Sequence, residues 1–330
     1  MRPFRRAGRP ARLATLAAGL LLSTVWGREA RSLENGLPAY PIGVETLYPA
    51  AFPPVPGLFI NFYTLQYSID NVRDAEGRKV FTRFDGDVTA SAVRPFVVWD
   101  AEILGARPVT FVTLPVLYRH VSAAIDADTP AGPLTVFQGS QNRTGFGDVS
   151  VAALLAWNRP GGLSYTAGFE TFLPTGDYRA REDFNIGVTN TYTFYPQASV
   201  TWRPPGNHHA SLKLMYGIPL RNGSTDYRSG QHLIAEAAAG VGVTDTVGLD
   251  LTGYALVQTT DDNAPGRSFA NGNRTRLFGV GPQLRVNVGP GALSVSYQRE
   301  FGARNAPEGH RFFFRIGLPL YVPNPPAAAR

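Results

Sequence analysis

The sequence predicts an all-β chain, a transmembrane antiparallel up-and-down β-barrel of about twelve strands. Three observations point there. Segments of alternating apolar and polar residues recur from residue 57 onward, and the connections between them alternate long and short. Nothing beyond the N-terminal leader approaches the roughly 20 consecutive apolar residues of a spanning helix. One segment alone decides nothing: "VGLDLTGYALVQ" at 247–258 sets Leu249, Leu251, Ala255 and Val257 against Asp250, Thr252, Tyr254 and Gln258. A soluble sheet does the same with a core on one side and water on the other. A membrane barrel reverses the geography, with lipid against the apolar face and the polar face lining the interior.

The leader, residues 1–32, reads as a secretory signal peptide. Arg2, Arg5, Arg6, Arg9 and Arg12 precede an apolar run, Leu13–Trp26, that is short for a membrane span. It carries seven Arg and one acid (Glu29), which accounts for the whole formal charge of +6. The remainder is close to neutral, so the polyanion attraction that would support nucleic-acid binding disappears. Cysteine is absent, which excludes disulfides and thiolate metal sites. With Gly 35, Pro 27 and 12% aromatics, the composition favours strands and turns over helices. An exported chain without a spanning helix is periplasmic, secreted or a membrane barrel.

Residues 33–56, "LENGLPAYPIGVETLYPAAFPPVP", are rich in Pro and aromatics and lack alternation. The segment is expected to fold back into the periplasmic mouth and partly plug the lumen, with Tyr40 and Tyr48 as its apolar contacts. The barrel is placed at 57–322, and residues 323–330 form a Pro- and Ala-rich tail.

Within the barrel, "NTYTFYPQASVTW", "SLKLMYGIPL", "RLFGVGPQLRVNV", "ALSVSYQRE" and "RFFFRIGLPL" repeat the alternation. Long connections are read at 69–87, 120–146, 174–190, "RNGSTDYRSGQ" and 260–273; short ones at 100–107, "NRPGG", "PPGN", "TDT" and "GPG". A sandwich has no reason to alternate loop length by parity, whereas outer-membrane barrels have short periplasmic turns and longer outward loops. An even strand number puts both termini in the periplasm. Trp99, Trp157 and Trp202 fall at the ends of strands running towards the short turns, on the apolar side, where an interfacial girdle belongs.

The polar face then becomes the lumen. In antiparallel hairpins the index sum of paired residues is nearly constant, which sets Asp250 near Arg285, Lys213 near Glu236 and Glu300 near Arg315. These pairs are read as satisfying one another in a narrow interior, with a charged selectivity filter as the alternative. The expected path is lined by Arg94, Glu170, Asp250, Tyr254, Arg285, Glu300 and Arg315, with Arg94 and Arg315 near mid-wall at the constriction.

Enzyme chemistry finds little footing. The five His residues lack metal-ligand spacing, and neither HExxH nor GxSxG occurs. "GVGV" and "GVGP" lack a third glycine and a following helix. Asp126 with Asp128, and Asp261 with Asp262, read as solvated loop charges rather than a cation site. His208 or His209 beside Ser211 lies next to a short turn and supports no acyl transfer. No catalytic residue, metal or cofactor is assigned.

Several stretches together resemble a known family. "ENGLPAYPIG", "PPVPG", "GFGDVSVAALLAW" at 145, "FLPTGDY" at 172 and "NIGVTNTYTFYPQASVTW" at 185 are similar to the outer-membrane transporters of aromatic-degradation gene clusters, the phenol meta-pathway degradation or SphA-like proteins. The resemblance runs over essentially the whole mature chain and implies a barrel carrying small hydrophobic or aromatic molecules across the bacterial outer membrane. In physical terms, Gly145 and Gly147 stand where a long loop re-enters a strand, a corner that demands positive φ and close approach, and Asp148 is placed to bond loop amides. Pro174 ends a ladder and Gly176 turns the chain. The expected partners are outer-membrane lipid and a small hydrophobic or aromatic solute, for a monomeric passive channel. Two other readings stay open: a lipid hydrolase, which needs Ser and His on the lipid-facing rim, and a structural barrel packed solid.

Overall fold

The computed structural model describes residues 37–130, 132–180, 185–187, 189–288 and 291–323; the signal peptide and all but the first residue of the C-terminal tail lie outside them. The described strands are β1 (Gly57–Arg73), β2 (Arg83–Val98), β3 (Arg107–Thr129), β4 (Gly132–Phe146), β5 (Ser150–Arg159), β6 (Leu163–Phe172) and β7 (Thr193–Trp202). They continue with β8 (His209–Pro219), β9 (His232–Gly242), β10 (Val247–Gln258), β11 (Arg276–Val288), β12 (Gly291–Arg304) and β13 (Ala306–Tyr321).

Apart from β4 and β5, strands adjacent in sequence pair antiparallel, and β1 pairs with β13 from Leu58↔Tyr321 to Arg73↔Ala306, which closes the ring. β4 and β5 are two parts of one wall position. β3 pairs through its first half with β5 (Arg107↔Ala156 to Thr113↔Ser150) and through its second half with β4 (Val116↔Phe146 to Thr129↔Gly132). The result is a closed barrel of 12 strands. Closure matters physically, because in hydrocarbon an unpaired strand edge would leave backbone N–H and C=O groups without partners.

Polarity is inverted relative to a soluble protein. On β10, Leu249 and Leu251 are 53% and 63% exposed while Asp250 and Thr252 between them are 6% and 1%. Along β8, Leu212 and Leu214 face out and Lys213 is buried. A water-facing exterior would make this arrangement costly, whereas a lipid-facing one gains from it. The period-two pattern is therefore that of a membrane barrel, as the sequence indicates.

Three sequence expectations need correction. Residues 120–146 are not a long loop: alternation continues through Val121, Ala123 and Ile125, so β3 runs to Thr129 and pairs along its outer half with β4 from Gly132 onward. Arg83 and Asp126 clamp it, with Arg83 Nε 2.9 Å from Asp126 Oδ2. The interior is also not uniformly polar. At mid-height and above, Phe172, Tyr195, Met215, Ile234, Leu256 and Leu277 point inward and form an apolar layer with Tyr40 and Ile42. Finally, Arg94 and Arg315 lie nearer the short-turn end than mid-wall, because the strands continue further outward than the alternation alone suggested. Trp99, Trp157 and Trp202 do gather at that end; Trp99 and Trp202 are about half exposed, and the Trp157 indole donates to the Leu104 carbonyl at 3.0 Å.

Candidate functional site

Residues 37–56 descend through the ring from its middle to the short-turn end and there enter β1. Their apolar side chains are matched to the inner wall. Tyr40 packs edge-on against Phe172 at 6.4 Å and beside Tyr195 at 6.2 Å, and Ile42 is fully buried. Lower down, Phe52 meets Phe96 at 5.6 Å, and Phe96 stacks on Phe59 at 5.1 Å.

Polar clamps fix the segment in register. Glu236 on β9 accepts from the Tyr40 hydroxyl at 3.0 Å, from the Glu45 amide at 3.1 Å and from the Gly43 amide. Gly43 has φ +90°, and a Cβ there would collide with Gln298 and Tyr254. Glycine is required both by the left-handed backbone and by the space. On β12, Glu300 accepts from Tyr67 at 2.7 Å, Tyr254 at 2.5 Å and the Gly309 amide at 2.8 Å, and pairs with Arg311 Nε at 2.8 Å. Arg311 also donates to the Ile42 carbonyl at 3.1 Å, so this wall pair holds the segment too. Glu45, carried by the segment itself, forms ion pairs with Arg94 of β2 and Lys213 of β8. Buried charges are tolerated because each is paired and hydrogen-bonded.

The predicted pairs are met in part. Asp250 and Arg285 do meet, with Arg285 Nη2 3.3 Å from Asp250 Oδ1, but diagonally: Gly248 is opposite Arg285, and Gln283 is opposite Asp250 and donates to it at 2.8 Å. Lys213 is directly opposite Glu236, as expected, yet its ion pair goes to Glu45. Glu300 and Arg315 do not meet. Ser294 is opposite Arg315, six residues from Glu300, in a β12–β13 register that runs from Ala292↔Gly317 to Arg299↔His310; Arg315 instead donates to the Leu47 carbonyl at 2.7 Å. Glu170 accepts from Ser150 at 2.7 Å and lies 3.6 Å from Arg94. Sequence reasoning missed Glu45 and Arg311. Arg311 was visible as an inward position of its strand; Glu45 lies in a stretch without periodicity and carried no signal.

Tyr48 has the left-handed φ of 53°. Its ring lies 4.9 Å from the His209 ring, 4.4 Å from the Arg203 guanidinium and 5.6 Å from that of Arg285. Beneath it Ser211 Oγ is 3.4 Å from His209 Nδ1, and His209 Nε2 is 3.1 Å from Asp250 Oδ1. This serine, histidine and aspartate face the interior and are buried, whereas a lipid hydrolase needs them on the lipid-facing rim.

At the rim, Gly145, Gly147 and Gly176 are not among the positive-φ residues, which corrects one half of the sequence reading. Close approach is what they serve: a Cβ on Gly147 would crowd Leu117 and Pro115, and one on Gly176 would sit 2.6 Å from Gly187 Cα. Asp148 Oδ1 accepts from the Gly176 amide at 2.9 Å, as expected. Pro174 follows the end of the β6 ladder at Phe172. Of the loop acids, Asp126 is held by Arg83 and Thr135, Asp261 by Arg274 at 2.7 Å, and Asp262 by Gly230, Gln258, Asn273 and Tyr227. No group of acids and histidines that could hold a metal occurs among the described residues.

A cavity of about 680 Å³ occupies the short-turn end of the ring, between residues 45–54 and the inner wall. Its lining combines Phe52, Phe59, Phe96 and Phe111 with Arg94, Arg159, Arg203 and Arg315, and Glu45 is its one carboxylate.

Among solved structures, the chain is similar to an outer membrane channel from Pseudomonas putida F1, at a TM-score of 0.64 and 17% identity, covering 81% of this chain and 97% of that one. It also matches the β domain of the Bordetella autotransporter BrkA (TM-score 0.45, 11% identity, 81% and 100% covered). A Pseudomonas aeruginosa FadL homologue matches at TM-score 0.35 and 10% identity, with 88% and 96% covered. No curated relative matches. The fold is that of a bacterial outer-membrane barrel. A family model described as "Putative MetA-pathway of phenol degradation" matches residues 69–316, three quarters of the sequence, and the chain belongs to that family.

Proposed function

We propose that this protein is a monomeric outer-membrane channel through which small hydrophobic or aromatic molecules pass without an energy source, with residues 37–56 as a plug. The observation that carries the reading is the make-up of the interior: an aromatic-rich segment held inside a closed ring by buried ion pairs to Arg94 and Lys213 and by a hydrogen bond from Arg311, besides its apolar contacts. Noncovalent clamps of this kind are reversible, and the inner wall beside them offers aromatic and aliphatic surface. The family's link to phenol degradation favours aromatic cargo. Arg94, Glu170, Lys213, Glu236, Asp250, Tyr254, Arg285, Glu300 and Arg315 form the lining, and Trp99, Trp157 and Trp202 take the membrane interface at the short-turn end.

Uptake by proteoliposomes tests this. The expected result is that the protein speeds entry of phenol or toluene over protein-free liposomes by a larger factor than it speeds entry of a sugar. Entry of every solute at the protein-free rate would overturn it and favour a structural barrel.

A further inference from the structure

We infer that the cavity at the short-turn end is a binding site for small aromatic carboxylates, an inference that deepens the channel function proposed above and rests on it. At about 680 Å³ the cavity falls within the roughly 300–1,000 Å³ usual for small-molecule sites.

Charge is distributed unevenly along its depth. The deep layer is balanced within itself: Glu45 is paired with Arg94 and Lys213, Glu170 faces Arg94, and Glu236 is held by Tyr40 and the amides of Gly43 and Glu45. Nearby, Asp250 is matched by Arg285 and His209. Towards the mouth the balance is lost. Neither Arg203 nor Arg315 has a carboxylate partner among the described residues: Arg315 donates to the Leu47 carbonyl, and Arg203 lies over the ring of Tyr48. One comes from β13 and the other follows β7, and both line the cavity, so two guanidiniums without a carboxylate partner among the described residues border the same space.

A third donor is aimed there. Gln197, on the inner face of β7, lines the same cavity and is 8% exposed, and its Nε2 has no hydrogen-bond partner among the described residues. A buried amide left without a partner costs free energy, so a ligand that accepts from it gains accordingly. The Phe52, Phe96 and Phe59 stack lines the same cavity. Planar guanidinium forks match a carboxylate through two parallel hydrogen bonds, and offset or edge contacts with Phe rings suit an arene. The combination selects a ring bearing an anionic carboxylate over a neutral phenol, and rejects an aromatic ammonium.

Calorimetric titration of the purified full barrel in detergent with benzoate, phenol and benzylammonium provides the test. Benzoate is expected to bind saturably, about tenfold or more tightly than phenol, with no binding of benzylammonium. Arg203→Gln and Arg315→Gln are each expected to weaken benzoate binding about tenfold, a larger loss than either shows for phenol. Comparable binding of all three probes, or unchanged benzoate affinity in the variants, overturns the inference. If Arg315→Gln fails to fold, judged by heat-modifiable gel mobility, Arg203→Gln and Gln197→Leu decide the matter. Flux in liposomes separates this from the channel reading. Benzoate binding without passage of any solute sinks the channel and leaves the site, whereas aromatic flux indifferent to the carboxylate and to both arginines sinks the site and leaves the channel.

Discussion

Arg285 and Asp250 meet at 3.3 Å although the register puts Gly248, not Asp250, opposite Arg285. The missing side chain makes the diagonal contact possible: a Cβ on Gly248 would run into the guanidinium. Arg285 continues to the carbonyl of Asn207 at 3.0 Å, so the pair also secures the turn after β7. Removing one member of a buried pair strands the other charge, whereas removing both does not. Asp250→Asn is therefore expected to destabilise the barrel by about 3–5 kcal/mol, and Asp250→Asn with Arg285→Gln by clearly less than the sum of the singles. Urea unfolding in lipid vesicles measures this, and strict additivity would count against the coupling.

Gly43 lies where the inner segment turns with φ +90° between Gln298 and Tyr254. Gly43→Val adds bulk and an unfavourable backbone conformation at the same point. The barrel wall does not depend on this residue, so the variant is expected to fold with normal heat-modifiable mobility and to conduct more than the parent in planar bilayers. Unchanged conductance with the segment still protected from protease would contradict the plug.

Leu251 is 63% exposed on the outer face of β10. Leu251→Arg is expected to lower the stability of the inserted barrel by about 2–4 kcal/mol, the range for a charge facing lipid near the midplane. Thr252→Val, one residue on but facing inward, removes its hydroxyl's bond to the Gly281 carbonyl at 3.2 Å and the one it accepts from Gln298 Nε2 at 3.1 Å, and should cost about 1–2 kcal/mol. Equal effects at the two positions would mean that the outer face is not in lipid.

Asp262, in the connection between β10 and β11, is buried, and desolvation raises its pKa above the ordinary 3.8 even though Tyr227, Gly230, Asn273 and Gln258 donate to it. A carboxyl with a raised pKa in the folded state binds its proton more tightly there than when unfolded. Its stabilising contribution is thus complete below the ordinary value and is lost as pH rises through the folded pKa. Hydrogen exchange of the 259–275 connection is expected to speed up relative to Asp262→Asn as pH is raised from about 4, with the variant showing the flatter profile. A wild-type profile parallel to that of the variant would refute this.

Alternation with period two is a property of each strand alone, so the sequence by itself determined which side chains face lipid and which face inward, and with them the barrel class. Leu249, Asp250, Leu251 and Lys213 all lie as read. Which inward charges meet is another kind of fact. It depends on index sums that the connections set, and the β12–β13 register, whose last pair is Arg299↔His310, puts Arg315 opposite Ser294, six residues away from Glu300. It also depends on closure, which brings Glu45, from a stretch with no periodicity, between Arg94 and Lys213 on far-separated strands. Electrostatic partners in a narrow ring are chosen by distance across the lumen, and only the tertiary structure determines that distance.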